Sequence, residues 1–308
     1  RQGVNAMKKD LKVKKMLAAL LTLAMLCALS ATALAKTDIP EKAAQATGTT
    51  VYQNEKASVD ASNLAEGYLI VRYTGGKNVK LKVQITKKGG TTYTYNLNSA
   101  GKAETFPLTE DDGTYTVRVF ENISGTKYAQ AYSCSVELKL RNEFLPFLYS
   151  NQYVNFTAES KTVKKGAELM KDAKDDLDAV RRVYNYVIAT LKYDYELAAT
   201  VKSGYLPDID AVLEAKKGIC FDYAALMSAM LRSGGIPCKL VVGYAGTAYH
   251  AWINVYIDGV GWVDKLIYFD GKNWSLMDPT FASSLGAESA ALKKYVGDGK
   301  NYTAKYAY

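Results

Sequence analysis

The apolar pattern of this chain changes period once, and that change constrains its architecture more than any other feature. Between residues 51 and 141 apolar side chains recur at every second position. Val79, Leu81, Val83 and Ile85 alternate with Lys80, Lys82 and Gln84. Tyr93, Tyr95 and Leu97 repeat the alternation, as do Tyr115, Val117 and Val119, and then Tyr132, Cys134, Val136, Leu138 and Leu140. Turn signals separate the runs at Gly75-Gly76, Gly89-Gly90, Asp112-Gly113 and Ser124-Gly125. A period of two turns one face of a strand to a core and the other to water.

Roughly seven short strands at this spacing predict an antiparallel β-sandwich of immunoglobulin-like type over 51–141. The outward Tyr and Thr residues could touch sugar or peptide, but they also simply suit strands. Residues 142–160 connect the two halves. From there to residue 308 the pattern is helical first and stranded afterwards, which predicts an α+β domain over 161–308. Val180, Val183, Tyr184, Val187, Ile188 and Leu191 recur at helical spacing, with Asp175 or Asp176 placed to cap the start. A short helix follows Asp208, and a third runs from Cys220 to about Ser233, stopped by Gly234-Gly235-Ile236-Pro237. Strands are expected at 239–244, 250–257, 266–269 and 274–277, with Asp270-Gly271 as a hairpin signal between the last two.

The left end reads as a leader. Met7, the expected start, precedes a basic run, a continuously apolar stretch from Met16 and the small residues Ala33-Leu34-Ala35. These are the three regions of a secretory signal peptide cut after Ala35. Met16 to Ala35 is also free of charge for 20 residues, long enough to span a bilayer, so an uncleaved membrane tether stands as the alternative. Bulky Leu26 argues against lipid modification of Cys27. Residues 36–50, poor in large apolar side chains, read as a linker. The expected location is secreted or cell-surface, in a bacterium.

The whole chain carries a formal charge of +8. Removing residues 1–35 leaves 33 basic and 30 acidic residues, a net of +3. That mild bias excludes a nucleic-acid footprint. Three cysteines follow the leader: Cys134, Cys220 and Cys238. An odd number in an oxidising compartment leaves at least one free thiol. Cys134 and Cys238 fit best as buried small hydrophobes, although a bridge between them is open. No paired Cys-x-x-Cys, Cys/His cluster, EF-hand-like loop or phosphate-cradling motif occurs, so neither metal nor organic cofactor is expected.

Three residues carry the chemistry. Cys220 stands where a loop turns into a helix, in Gly218-Ile219-Cys220-Phe221-Asp222-Tyr223-Ala224. First-turn N–H groups and the helix dipole favour negative charge at such a position, and therefore a thiolate. His250 is the sole histidine and heads the expected strand His250-Ala251-Trp252. Asp278 ends a strand before Pro279. If strands 250–257 and 274–278 lie side by side, Asp278 can orient the imidazole and His250 can face the thiol, in the order nucleophile, base, orienter. Taken singly, a lone histidine is more often structural, and an Asp before proline is a common turn residue.

Five ordered blocks resemble the transglutaminase-like superfamily: 218–224, 230–237, Val242-Gly243-Tyr244, His250-Ala251-Trp252 and Asp278-Pro279-Thr280. The reactive residues are spaced by 30 and 28. The resemblance covers about 160–282. It implies a papain-like α+β core with Cys220 as nucleophile, His250 as base and Asp278 as orienter. Trp252 and Arg232 match its blocks as scaffold. The backbone N–H of Cys220 is one expected oxyanion donor. A second is often a side chain upstream of the cysteine, a tryptophan in eukaryotic members, and Tyr205 stands in a comparable place. Packing of Tyr205 on the core is the competing reading, and Tyr193 and Tyr195 are further candidates.

The expected activity is thiol acyl transfer on amide bonds of an extracellular protein or cell-wall peptide, with a cysteine peptidase or amidase as the leading form. A glutamine–lysine transglutaminase shares the same residues. A surface adhesion module with a vestigial site is the non-enzymatic alternative.

Overall fold

The computed structural model describes residues 42–264, 267–269, 274–276 and 301–308. The expected leader, residues 1–35, and Asp278 lie outside the described residues. The described residues all belong to one compact unit. Among the described residues no helix is long and apolar enough to cross a membrane.

The first half is built of β1 Val51–Gln53, β2 Ala57–Asp60, β3 Tyr68–Tyr73, β4 Leu81–Lys87, β5 Thr92–Leu97, β6 Glu104–Pro107, β7 Gly113–Ser124 and β8 Lys127–Leu138. They form two four-stranded sheets, ordered β1-β2-β3-β6 and β5-β4-β7-β8, with antiparallel pairing throughout. The alternation read from the sequence is the alternation of burial. On β4 Leu81, Val83 and Ile85 are buried while Lys82, Gln84 and Thr86 are half-buried on the other face. Register places Val83 between Tyr95 and Val119, so one apolar layer crosses three strands. The buried faces of both sheets join a single core cluster.

One polar bridge joins the two sheets. The Tyr73 hydroxyl on β3 donates to Glu121 Oε1 on β7 at 2.6 Å. Lys56 Nζ approaches Glu121 Oε2 at 3.2 Å and Lys77 Nζ approaches it at 3.8 Å. The buried carboxylate therefore has both hydrogen-bond and charge partners, as desolvation requires.

Residues 44–50, read above as part of a linker, are held against this half. Ala44 N–H donates to Ser150 Oγ, Gly48 N–H to Asp60 Oδ2 and Thr50 N–H to Ser62 Oγ. The connecting segment is equally fixed: a short 3-10 turn, Leu145–Phe147, is fully buried, and Val154 and Phe156 enter the shared core.

The second half begins with a helix not predicted from the sequence, α1 Lys161–Met170. Its buried stripe is Thr162, Gly166 and Met170, a set too small and polar to register as an apolar period. Gly166 is there for close approach: a Cβ on it would stand 3.0 Å from Met230 Cα. α2 Asp176–Thr190 is capped by Asp175, whose side chain accepts from Asp178 N–H at 2.7 Å. β9 Lys192–Tyr193, α3 Tyr195–Thr200, α4 Ile209–Ala215 and β10 Lys217–Gly218 lead to α5 Cys220–Ser233. Every residue of α5 from Asp222 to Arg232 is buried, which makes it the central element of this half.

Beside α5 lies an antiparallel sheet in the order β13-β12-β11-β16, formed by Gly261–Val263, Ala248–Ile257, Cys238–Ala245 and Tyr302–Ala307. β13 and β16 were not foreseen. β14 Ile267–Phe269 and β15 Trp274–Leu276 pair with each other, as the Asp270-Gly271 signal implied. This corrects one expectation: β15 forms its own two-stranded sheet with β14 instead of lying beside β12. β12 is flanked by β11 and β13, which the short Asp258-Gly259-Val260 turn brings back onto it.

Arg232 locks these elements together. Its guanidinium is 1% exposed and donates to three carbonyls: Cys238 O at 2.9 Å, Tyr149 O at 2.8 Å and Tyr308 O at 2.6 Å. Helix α5, β11, the connector and the residue after β16 thus share one buried donor set.

Candidate active site

Cys220 is the first residue of α5 and is half-buried. The local chain explains why a helix starts there. β9 and β10 pair in parallel, matching Tyr193 with Gly218, and Asp194 N–H donates to Gly218 O at 2.9 Å. Ile219 then turns extended, with φ −95° and ψ 176°, and Asp222 reaches back so that its Oδ2 accepts from Ile219 N–H at 2.8 Å. This is the carboxylate half of a capping box. Gly218 has no side chain because Asp222 lies against it: a Cβ there would sit 2.7 Å from Asp222 Cβ and 2.9 Å from Oδ2.

Tyr205 completes this arrangement. Its hydroxyl donates to Asp222 Oδ1 at 2.7 Å. A phenol has one proton to donate, so Tyr205 as placed supports the carboxylate under Cys220 and does not offer that proton to an oxyanion. This placement favours the competing reading of Tyr205 as a residue packed on the core. Burial raises the Asp222 carboxyl above its ordinary value, while the Tyr205 and Ile219 hydrogen bonds pull it down. Burial and the Asp222 charge raise the Tyr205 hydroxyl.

His250 lies on β12 opposite Gly243 of β11 and is 6% exposed. Its ring is stacked 6.3 Å from Trp252 and meets Tyr302 edge-on at 6.1 Å. Trp252 and Tyr302 are themselves perpendicular at 5.3 Å, which makes an aromatic bed under the imidazole. Cys220 and His250 line the same cleft, whose volume is about 490 Å³. The structure thus brings together Cys220, His250 and Tyr205 from the expected set.

Three tyrosines line the cleft beside Tyr205 and Tyr308: Tyr153, Tyr193 and Tyr249. Tyr193, matched with Gly218, is pushed up to about 12 by burial and then by the neighbouring Cys220. Tyr249 is raised by burial, with Tyr306, Tyr244 and Cys220 contributing. Tyr153 is pushed up to about 12 by burial and packs edge-on against Phe221 at 5.4 Å. All three hydroxyls remain protonated donors at neutral pH. Tyr195, also considered from the sequence, is 70% exposed and meets Tyr193 edge-on at 5.0 Å. Tyr153, Tyr249, Asp222 and the cleft wall from the sheets were not singled out from the sequence. Only Asp222, three residues past Ile219, carried a readable signal.

The other cysteines differ in kind. Cys238 is fully buried beside Ser228 Oγ at 3.3 Å, and burial pushes its thiol up to about 11. Burial also pushes half-buried Cys134 up to about 11. All three are free thiols, so Cys134 and Cys238 are not bridged. No group of three or more potential metal ligands occurs among the described residues.

Residues 164–265 match the model of the transglutaminase-like superfamily, and the chain carries a transglutaminase-like core. Over 146 residues it is 30% identical to the kyphoscoliosis peptidase of Mus musculus, covering 42% of this chain and 20% of the relative. Over 99 residues it is 26% identical to a protein-glutamine gamma-glutamyltransferase of Pseudomonas aeruginosa, covering 31% of this chain and 14% of the relative. The crystal structure of red sea bream transglutaminase aligns with a TM-score of 0.30 at 12% identity, covering 72% of this chain and 54% of that one. The chain spans about a fifth of the length of the kyphoscoliosis peptidase it matches. A transglutaminase-like fold is typically enzymatic.

Proposed function

We propose that this protein is a secreted thiol acyl-transfer enzyme that hydrolyses amide bonds in extracellular proteins or cell-wall peptides. The observation that carries the reading is the placement of Cys220, at the N-terminal end of a buried helix, in one cleft with the sole histidine. In the proposed reaction the Cys220 sulfur attacks the amide carbonyl and forms a C–S bond. His250 takes the thiol proton and passes it to the departing amine as the C–N bond breaks. Water then attacks the thioester, His250 accepts its proton, and the acid and free thiol are released. Asp278 is kept as the proposed orienter of His250 on the family resemblance of Asp278-Pro279-Thr280 alone, since β15 does not lie beside β12. The Cys220 N–H is the proposed oxyanion donor, with the Tyr193 hydroxyl beside it.

The order β1-β2-β3-β6 facing β5-β4-β7-β8 supports reading the first half as an immunoglobulin-like sandwich. Similarity to a protein-glutamine gamma-glutamyltransferase favours transamidation as the second reading, with an amine replacing water at the thioester.

The test is alkylation by iodoacetamide near neutral pH, read by peptide mass spectrometry. Cys220 should label far faster than Cys134 and Cys238, and the advantage should vanish in His250→Ala. Equal labelling of all three thiols defeats the proposal. Casein with a fluorescent amine then separates the two readings: incorporation means transfer, and fragments without incorporation mean hydrolysis.

A further inference from the structure

Building on Cys220 as nucleophile, we propose that the cleft selects peptides bearing a carboxylate, recognised by Lys82 and Lys202. Opposite the catalytic half, the cleft wall is made by one sheet of the first half, β5-β4-β7-β8, and the connector. Lys82 comes from β4, Thr94 and Asn96 from β5, and Gln152 from the connector, while Lys202 and Gly204 come from the loop after α3. Lys82 and Lys202 are the only Lys, Arg, Asp or Glu residues among the described cleft lining. The cleft is therefore cationic although the mature surface as a whole is almost balanced.

Lys82 is held in place. It is half-buried, pairs in register with Asn96, and its Nζ donates to Asn96 Oδ1 at 2.5 Å. An ammonium has three protons to donate, so this bond leaves two. Among the described residues no carboxylate lies within salt-bridge distance of Lys82. Asn96 is anchored in turn: its backbone oxygen accepts from Gln152 Nε2 at 2.8 Å, and Gln152 Nε2 also reaches Glu104 Oε1 at 3.0 Å.

The Lys202 loop is brought onto this wall by Gly204, whose φ is +95°. A Cβ there would stand 2.5 Å from Asn96 Nδ2, so only glycine permits the approach. Two lysines lining one cleft, one half-buried and pinned by an amide, attract an anion more strongly than isolated surface lysines do. A carboxylate suits them because the tyrosine hydroxyls nearby, Tyr153 and Tyr249, can donate to its remaining lone pairs.

The experiment uses fluorogenic peptides identical except for one residue, Glu, Gln or Lys, placed in turn on either side of the labelled amide. Each is made with a free or an amidated C-terminus. On the wild-type chain, kcat/KM for the Glu peptide should exceed that for Gln by about tenfold or more and should fall as salt rises. Lys82→Met and, separately, the exposed Lys202→Met should narrow the ratio, and Lys82→Glu should invert it toward the Lys peptide. A gain seen only with free C-termini assigns the carboxylate to the chain end, and one seen only with Glu assigns it to a side chain.

Fluorescence polarisation of the same peptides on Cys220→Ala reads recognition without turnover. Glu-selective binding with no wild-type turnover upholds the anion cleft and defeats the enzymatic reading. Cys220-dependent turnover indifferent to charge does the reverse. Equal affinity for all three peptides, or preference for Lys, overturns the inference.

Discussion

The hydroxyl of Tyr205 donates to Asp222 Oδ1 at 2.7 Å, while the other oxygen of the same carboxylate takes the N–H of Ile219, the residue before Cys220. One buried carboxylate thus ties a loop aromatic to the turn that presents the thiol. Its burial raises Asp222 above its ordinary 3.8 in the folded state. A raised folded value stabilises most below the unfolded value and loses that contribution as pH rises through the folded one. Removing the Tyr205 proton raises it further.

Tyr205→Phe should therefore destabilise the protein by about 1–3 kcal/mol at pH 7, since a buried carboxylate loses a donor. The gap from wild type should shrink as the pH falls and Asp222 takes up a proton. Thermal melts of both proteins across that range check it. A gap that is constant with pH would mean that Tyr205 acts through packing alone.

Gly218→Ala should slow Cys220 alkylation and lower stability by about 1–3 kcal/mol, the usual cost of overpacking. The new methyl would overlap Asp222, so either the carboxylate leaves Ile219 N–H or the helix start shifts. Pairing Gly218→Ala with Asp222→Ala should not restore the stability, because the nearest clash, 2.7 Å, is with the Asp222 Cβ that alanine keeps, and the Ile219 and Tyr205 donors lose their acceptor.

Glu121 gives a pH signature of opposite sign. The Tyr73 hydrogen bond, then Lys56 and Lys77, hold its carboxyl below the ordinary 4.5 against the effect of burial. A depressed folded value contributes stability above 4.5 that is lost as pH falls through it. Tyr73→Phe should cost about 1–3 kcal/mol at neutral pH and progressively less in acid. Urea unfolding at several pH values reads the difference.

Arg232→Met should be among the most damaging substitutions, by about 3–5 kcal/mol, a size seen when a buried charged group is removed from its partners. Three carbonyls lose their donor together. Arg232→Lys should recover only part, because an ammonium lacks the planar fork that reaches all three. Chemical unfolding midpoints decide both.

Much of the stranded half was legible because its burial alternates as the residues do. Leu81, Val83 and Ile85 could face inward only together. The helix start at Cys220 was legible for a different reason: the turn residues Gly218-Ile219 before it are a local signal. Helix α1 was not legible, since its buried Thr162, Gly166 and Met170 present no apolar stripe, and its fit is set by Met230 sixty-odd residues away. The Tyr205–Asp222 bond was not legible, because position along the chain does not say where a hydroxyl points.

Residue order alone determined the inward alternation of β4 and the start of α5 at Cys220, because periodicity and capping act within a few residues. Tertiary structure decided what faces that thiol. The joining of Lys82 and Asn96 to the cleft, the Tyr205–Asp222 bond and the neighbours of β12 depend on segments that meet only after packing, where sequence separation carries no distance.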